Sequence, residues 1–305
     1  MIQKMFKAFG TVNTVTVYNN SEKTKTVLAK AEKLIKDMDF RWSVFRAESE
    51  ISEINRHSGT EFVSVKNDTF DIIKKSVEYS ELTEGLFDIT VQPLVEAYLS
   101  GEKGNTVPEN EVKRCRELVN YRDITFNETK VKLRKRGQKI SLGAIAKGYA
   151  ADEINELFER EGVEDYIANL GGTVSVKGGK RTVGLQHPLK ETGQVLGTLT
   201  VKDKILVTSG AYERSYYKDG EFHHHILDSR TGKSSKSDLL SVTLVGDNGA
   251  LLDALATAVF VMGLEAGYQL IQKLKLEAVF VASNLNIYAT NGLKGSLKIT
   301  TERSL

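Results

Sequence analysis

Three histidines stand beside a Gly-Lys-Ser sequence in the stretch HHHILDSRTGKSS, residues 223–235. Gly-Lys-Ser ends the phosphate-binding loop of many nucleotide-binding proteins, and that loop also needs a glycine five positions before its second glycine. Here the second glycine would be Gly232, and the position five residues earlier holds Leu227. The stretch therefore does not predict a phosphate loop of this type.

The three histidines could bind a metal or move a proton. Successive side chains on a strand point to opposite faces, so His223 and His225 would face one way and His224 the other. Three ligands to one metal are therefore not easily supplied, and a zinc site is not favoured. One histidine that acts as a base, or that contacts a phosphate, is the more economical interpretation.

A second candidate is the stretch KISLGAIAKGYAADEINELFEREG, residues 139–162, which is typical of a strand, a glycine and a helix that ends at Gly162. Backbone N–H groups at the start of a helix favour an anion, and Gly143 lets a phosphate approach closely. Lys147 lies in the first turn and could reach the same anion. The alternative is an ordinary buried helix start, with Lys147 extending to solvent.

A third candidate is LLDALATA, in which Asp253 and Thr257 stand four residues apart on one face of an otherwise apolar helix. A buried carboxylate is unfavourable unless it is paired or coordinates a cation. Carboxylate, hydroxyl and carbonyl oxygens are the ligands that Mg²⁺ prefers. The alternative is a hydrogen-bonded pair in the core, with Thr257 bonding back to its own helix.

Composition excludes several other classes of protein. The chain has 305 residues and a formal net charge of +2, which favours neither a nucleic-acid footprint nor a membrane-surface one. The single cysteine, Cys115, excludes an internal disulfide and a cysteine zinc cluster. We find no G-x-G-x-x-G motif, no secretory signal and no apolar run of about 18 residues. We therefore expect a cytoplasmic protein without a transmembrane helix.

The elements that would position these residues are helices mixed with runs of short strands. Helices are predicted from Ser21, from Asn67 or Asp68 to Gly85, over 109–118, from Gly143 to Gly162 and over 249–263. Strands are predicted at 11–18, 122–126, 130–134, 138–142, 166–170, 173–177, 181–186, 196–201, 204–208 and 241–246. Strands in hairpin-like runs among separated helices indicate an α+β protein rather than a doubly wound parallel sheet.

Seven stretches, in chain order, resemble the motifs of the ApbE-type FAD:protein FMN transferases. They are SEISEIN (49–55), GLFDITVQPL (85–94), SLGAIAKGYAAD (141–152), NLGGTV (169–174), TSGAYERSY (208–216), HHILDSRTG (224–232) and DALATAVFVMG (253–263). Each match is weak alone, but seven collinear ones are specific. The resemblance implies an ApbE-like, T-fold-like architecture of antiparallel sheets packed with helices, in a single domain over 1–305.

The resemblance also implies roles for individual residues. It assigns Mg²⁺ to the carbonyl of Ala144 and to the side chains of Asp253 and Thr257. The implied FAD contacts are Phe9, Phe45, Leu86, Phe87, Asp88, Ser141, Lys147 and Ile226. The implied catalytic groups are Lys147 and His225, with His224 as the second choice for the base or phosphate contact.

The implied reaction is phosphoryl transfer dependent on Mg²⁺, with FAD as substrate. A Ser or Thr hydroxyl of an acceptor flavoprotein, in a motif that resembles Asp-x-x-Ser/Thr-Gly-Ala-Thr, attacks the phosphorus on the riboflavin side, and AMP leaves. Two alternatives are an FAD pyrophosphatase that releases FMN and AMP, and a non-catalytic FAD-binding protein. The chain departs from the family at Ser141 (Asp), Ser229 (Pro) and Phe9 (Met).

Overall fold

The structure, a computed structural model, describes residues 1–19, 21–102, 107–212, 215–218 and 221–300. Contacts between residues divide the chain into two units, each assembled from separate segments. The first unit comprises Met1–Ile35, Lys147–Tyr212 and Ser237–Leu305, and the second comprises Lys36–Ala146 and Glu213–Lys236. The expectation of a single domain over 1–305 stays a prediction.

The helices and strands of the described residues follow in chain order. The helices are α1 (Glu22–Trp42), α2 (Glu50–Arg56), α3 (Asn67–Leu82), α4 (Gln92–Glu102), α5 (Glu109–Glu117), α6 (Ala146–Arg160), α7 (Gly249–Met262) and α8 (Leu264–Lys273). The strands are β1 (Ile2–Ala8), β2 (Thr11–Val17), β3 (Val63–Ser64), β4 (Ile124–Asn127), β5 (Lys130–Leu133), β6 (Tyr166–Leu170), β7 (Thr173–Lys177), β8 (Arg181–Gln186), β9 (Val195–Val201), β10 (Lys204–Gly210), β11 (Ser215–Lys218), β12 (Glu221–His224), β13 (Leu227–Asp228), β14 (Lys233–Ser234), β15 (Leu239–Gly246), β16 (Glu277–Ala282), β17 (Ile287–Ala289) and β18 (Leu297–Ile299).

The first unit is built on an antiparallel sheet in the order β1-β2-β6-β7-β10-β15-β16-β17. A smaller antiparallel sheet, β18-β9-β8, packs against it through a buried apolar cluster that includes Val176, Leu199 and Leu206. Side chains alternate along a strand, so Ile205 and Val207, which flank Leu206, point to the other face. Helix α7 packs against β10 and β15. The sheet is thereby buried on both faces along its central strands.

The turn between β1 and β2 has an unusual backbone. Ala8 pairs with Thr11, so the turn consists of Phe9 and Gly10, which have positive φ angles of 53° and 71°. Two positive φ angles define a type I′ turn, which matches the twist of a hairpin. A bulky residue such as Phe9 is disfavoured in this conformation by about 1–2 kcal/mol. The side-chain amide of Asn13 donates to the carbonyls of Ala8 and Thr11 and supports the turn.

The second unit combines helices α2 to α5 with a small antiparallel sheet, β3-β5-β4, and two hairpins, β11–β12 and β13–β14. A buried polar cluster joins its helices. The Arg41 guanidinium donates to both carboxylate oxygens of Asp68 and to the hydroxyl of Thr69. Trp42 also donates to that hydroxyl, at 2.9 Å, and the hydroxyl donates to Glu50. These bonds hold α2 and α3 to the last turn of α1.

The predicted α+β class is confirmed, as are the predicted helices and most of the predicted strands. The strand predicted at 138–142 is wrong, because no strand is assigned there. The main chain of Ile140 bonds to the side chain of Asn55 in both directions, at 2.7 and 3.0 Å. The N–H of Ser141 donates to the carbonyl of Ile89 at 2.8 Å. The backbone groups that would pair with a neighbouring strand are thus bonded to the side chain of Asn55 and to the carbonyl of Ile89.

No helix among the described residues is long and apolar enough to cross a membrane.

Candidate functional site

In the first unit, helices α6 and α7 cross with their backbones in contact. A Cβ atom added to Gly148 would lie 2.1 Å from the carbonyl oxygen of Gly249, and one added to Gly249 would lie 2.3 Å from the carbonyl oxygen of Gly148. Neither position can accept a side chain without separating the helices, because real Cβ atoms do not approach a backbone oxygen so closely. The two glycines therefore determine how close the helices are.

Two carboxylates bond across this crossing. Asp253, on α7, accepts the N–H of Gly148 in the first turn of α6 at 2.9 Å. Asp152, on α6, accepts the N–H groups of Gly249 and Ala250 at the start of α7, at 2.7 and 2.9 Å. The first N–H groups of a helix have no partner inside the helix and carry partial positive charge. Each carboxylate is therefore held where a helix start stabilises a negative charge.

Asp253 is a buried acid, only 5% exposed. Burial raises its pKa above the ordinary value, while the nearby charge of Lys147 and the N–H groups of Gly148 and Lys147 act in the opposite direction. The Nζ of Lys147 donates to the carbonyl of Gly171 at 3.4 Å. Lys147 is half-buried and therefore does not simply extend into solvent. Lys147 is the second residue of α6, and its predicted contact with an anion stays a prediction.

These residues fit a magnesium ion chemically. Mg²⁺ is usually bound by one or two carboxylates together with substrate phosphates, rather than by a cage of protein ligands. Asp253 supplies a buried carboxylate, and Thr257, half-buried one turn later on α7, supplies a hydroxyl. The described residues contain no group of three or more His, Cys, Asp or Glu side chains that could hold a metal. A cation next to Asp253 would also offset the unfavourable burial of its charge.

Two tight turns of the first unit lie together. A Cβ atom on Gly171, which has a φ of 64°, would be 2.3 Å from the Cγ2 atom of Thr11. The β6–β7 turn therefore touches the β1–β2 turn that holds Phe9. Lys147 bonds to the carbonyl of this same Gly171. Two predicted site residues of the first unit, Phe9 and Lys147, are thus linked through neighbouring turns.

In the second unit, four of the family-like stretches meet. Asn55, from 49–55, bonds to Ile140, the residue directly before the stretch 141–152, and the N–H of Ser141, which begins that stretch, bonds to Ile89 in 85–94. The hydroxyl of Ser229, in the β13–β14 hairpin, donates to the carbonyl of Gly85 at 2.9 Å. Serine at this position therefore makes a bond that the family's proline could not donate. In the sequence, Ser229 differs from the family's proline, and no sequence pattern indicates the role of Asn55.

Asp88 is bound within the protein. Its Oδ1 accepts the N–H and the hydroxyl of Thr90, at 2.8 and 2.6 Å, and its Oδ2 accepts the N–H of Tyr121 at 2.9 Å. Burial raises the pKa of Asp88, and these three bonds partly oppose that rise. In the structure this carboxylate holds the backbone of Thr90 and Tyr121 in place. Its predicted contact with FAD stays a prediction.

The histidine run differs from the strand assumed in the sequence analysis. Strand β12 ends at His224, and His225 lies in the bend that follows. His224 is buried, and its Nε2 lies 2.9 Å from the carbonyl oxygen of Ser235. A carbonyl can only accept, so Nε2 carries the proton and Nδ1 is the basic nitrogen of the neutral ring. Burial lowers the pKa of His224 below its ordinary value, and the bond to Ser235 partly opposes this.

Gly232 does not belong to a phosphate loop. It has a φ of 73° and lies in the turn of the β13–β14 hairpin, where its N–H donates to the carbonyl of Asp228 at 2.8 Å. A phosphate loop would instead lead into a helix. Residues 227–234 form two short antiparallel strands joined by a turn, as the absence of a phosphate-loop pattern allows.

The remaining predicted residues of the second unit vary in exposure. Phe45 is 78% exposed, whereas Phe87 and Ile226 are buried. Leu86, Ser141, Ala144 and His225 are half-buried. The hydroxyl of Ser141 accepts the N–H of Gly143 at 3.4 Å. In TSGAYERSY, residues 213 and 214 lie outside the described residues.

Several known proteins are similar to this chain over most of its length. The ApbE family matches residues 9–280. A protein from Klebsiella pneumoniae (strain 342) named FAD:protein FMN transferase is 33% identical over 275 residues, which cover 89% of this chain and 86% of that protein. The crystal structure of the apbe protein from Thermotoga maritima is 28% identical with a TM-score of 0.87, and the match covers 97% of this chain and 98% of that one.

A further solved structure, of an H→G mutant of the flavin transferase ApbE from Vibrio cholerae, is 24% identical. It shares the fold, with a TM-score of 0.84 over 97% of this chain and all of that one (100%). The expectation of a transferase is confirmed by these relatives, and the chain is an enzyme of that class. It belongs to the ApbE family.

Proposed function

We propose that the chain transfers the FMN part of FAD to a Ser or Thr hydroxyl of an acceptor flavoprotein, with Mg²⁺ present and with release of AMP. The relatives named FAD:protein FMN transferase support the substrate and the group that is moved. The observation that carries the proposal is the buried carboxylate of Asp253, bonded to the start of α6 and close to the charge of Lys147. This arrangement suits a site that handles phosphate and a cation together.

The reaction balances without an oxidant or reductant. The acceptor oxygen forms a bond to the phosphorus on the riboflavin side of the FAD pyrophosphate. The bond from that phosphorus to the bridging oxygen breaks, and the bridging oxygen leaves with AMP. The hydroxyl proton passes to a base. The product carries FMN as a phosphoester.

In this proposal, Lys147 stabilises the negative charge that develops on the phosphate oxygens. A preorganised cation in a partly buried position is more effective than one in water. Its ammonium group lies 3.4 Å from the carbonyl oxygen of Gly171, which directs it towards that turn. Bound Mg²⁺ would neutralise charge on the pyrophosphate. Asp253 and Thr257 would hold it, together with the carbonyl of Ala144 that the family resemblance assigns.

In this proposal, one of the two histidines His225 and His224 takes the proton. His225, the first candidate from the family resemblance, is half-buried in the bend that follows β12. His224 has chemistry that also suits a base, because burial lowers its pKa and keeps the ring neutral near neutral pH. Replacing each histidine separately by asparagine distinguishes them. The base is the one whose loss reduces transfer while FAD binding is kept.

The proposed FAD contacts are those that the resemblance assigns, from Phe9 to Ile226. The proposed contact of Phe9 rests on the family resemblance, because its positive φ of 53° is accounted for by the hairpin turn. The nature of the acceptor motif and a cytoplasmic location stay predictions.

The test is incubation of the protein with FAD and Mg²⁺, with and without an acceptor domain that carries a Ser/Thr motif. The denatured acceptor is examined for flavin fluorescence, and AMP is quantified. We expect covalent flavin and AMP in equal amounts. FMN and AMP without labelled acceptor would instead indicate a pyrophosphatase. Intact FAD under all conditions would indicate a binding protein.

A further inference from the structure

We propose that Asp152 is a positioning residue, which holds α7 so that Asp253 stays at the start of α6; the inference rests on the proposed function. Asp152 uses both carboxylate oxygens to accept the first two N–H groups of α7, from Gly249 and Ala250. Asp253 follows on the next turn of α7 and bonds to Gly148. Asp152 therefore links α6 to the start of α7, and Asp253 links α7 to the start of α6.

The distances leave little freedom for Asp253 to move independently. Asp253 stands four positions after Gly249, which is roughly 6 Å along a helix axis. A helix segment of this length is rigid, so a shift or rotation of its first turn moves the carboxylate with it. The contact between Gly148 and Gly249 fixes the separation of the helices but not their rotation about the contact. The two bonds to Asp152 restrict that rotation.

Capping alone does not account for a carboxylate at this position. Asn248 already accepts the N–H of Leu251 at 2.9 Å and caps α7 from within its own segment. The Asp152 carboxylate comes from a different helix, about a hundred residues away in the chain, and it bonds to the two N–H groups that Asn248 leaves. Removing a group that orients a metal ligand without itself binding the metal typically weakens metal affinity by about 10- to 100-fold.

The chain offers a matched control in Asp238. This carboxylate also accepts an N–H at the start of a helix, that of Leu264 in α8, at 2.9 Å. It belongs to the same unit, and it lies beside Gly263 at the other end of α7 from Asp253. Asp238→Asn thus alters a comparable bond in the same way as Asp152→Asn, without touching the crossing of α6 and α7.

The experiment compares the wild type with Asp152→Asn, Asp152→Ala and Asp238→Asn. Each full-length protein is titrated with MnCl₂ in the presence of FAD and without acceptor, and free Mn²⁺ is followed by electron paramagnetic resonance. The Mg²⁺ concentration for half-maximal transfer and the thermal midpoint are measured in parallel. We expect Mn²⁺ binding to weaken about 10-fold or more in Asp152→Ala and by less in Asp152→Asn. Asp238→Asn should bind Mn²⁺ within about twofold of the wild type.

The outcomes separate the two proposals. If the wild type binds Mn²⁺ and transfers flavin while Asp152→Asn and Asp238→Asn bind Mn²⁺ equally well, the positioning role is wrong and the proposed function stands. If the wild type itself neither binds Mn²⁺ nor transfers flavin, the proposed function fails, and the inference fails with it. Should Asp152→Ala not fold, Asp152→Asn decides the question, because its amide oxygen still accepts one N–H of α7.

Discussion

Asp152 and Asp253 stabilise each other's helix, since each accepts N–H groups from the first turn of the helix that carries the other. The two helix starts are thereby supplied with negative charge by the opposite helix rather than by their own flanking residues alone. The close contact of Gly148 with Gly249 makes this exchange possible. A buried acid is thus kept in place at a helix start that could also receive a phosphate.

The first prediction concerns this contact. Replacing a helical glycine by alanine normally stabilises a helix by up to about 1 kcal/mol. In Gly148→Ala the new Cβ atom would lie 2.1 Å from a backbone oxygen, so the clash should prevail and lower the free energy of unfolding by at least about 2 kcal/mol. Urea denaturation measures the change. Gly143→Ala, where the nearest atom is 3.6 Å away, is the control and should stay near the wild type.

The second prediction concerns Asp88 as a structural residue. Asp88→Ala leaves the N–H groups of Thr90 and Tyr121 without their acceptor, so we expect a loss of about 3 kcal/mol in the free energy of unfolding. Asp88→Asn should lose less, because an amide oxygen still accepts the bonds from Thr90. Asp71→Ala, at an exposed pair with Lys75, is the comparison and should change stability by about 0.5 kcal/mol at most. Equal effects of Asp88→Ala and Asp71→Ala would show that the Asp88 bonds contribute little.

The third prediction is a pH dependence of stability that comes from His224. Burial lowers its pKa in the folded state, so between that value and the unfolded value of about 6.5 the unfolded chain binds more protons. Stability should therefore fall as the pH is lowered through this window, and should be fully regained above it. His224→Gln should lack this component and show a flatter profile between pH values of about 7.5 and 5.5. Parallel profiles for the two proteins in chemical denaturation would exclude this origin.

The fourth prediction separates the charge of Lys147 from its bulk. Lys147→Met keeps the apolar stem and removes the ammonium group, so we expect kcat for flavin transfer to fall by about 10²- to 10³-fold. The protein should remain folded, because the change removes one hydrogen bond, to Gly171, and one charge near Asp253, and the apolar stem still packs. Lys139→Met, which removes a surface lysine paired with Glu96, should retain wild-type kcat. A Lys147→Met enzyme as fast as Lys139→Met would remove Lys147 from the mechanism.

The sequence predicts elements well where the pattern is local. The apolar helix with a single acid, Asp253, could be predicted because its residues are contiguous. The partner of that acid could not, since Gly148 lies 105 positions away in the chain and contributes only a backbone N–H. Helix α2 was not predicted, because only two of its residues, Ile51 and Ile54, are buried. Its one usable signal was Ser49, whose side chain caps the helix.

The strand predicted at 138–142 failed for a related reason. Its apolar and β-branched residues fit a strand, but strands need a partner, and the partners of this segment are the side chain of Asn55 and the carbonyl of Ile89. Only the tertiary structure decides which group satisfies a backbone N–H. The same limit explains why Ser229, recognised as a departure, could not be predicted to bond to Gly85.

The central claim is that the chain transfers FMN to an acceptor at a site that contains Asp253. The most direct test incubates an acceptor flavoprotein with FAD, Mg²⁺ and either the wild type or Asp253→Asn, and then measures the mass of the acceptor. The amide of Asp253→Asn can still accept the N–H of Gly148, so the crossing of α6 and α7 should be kept, as a cooperative thermal transition would show. We predict that the wild type increases the acceptor mass by FMN less one water and that Asp253→Asn leaves it unchanged. Full labelling by a folded Asp253→Asn protein would contradict the proposed site.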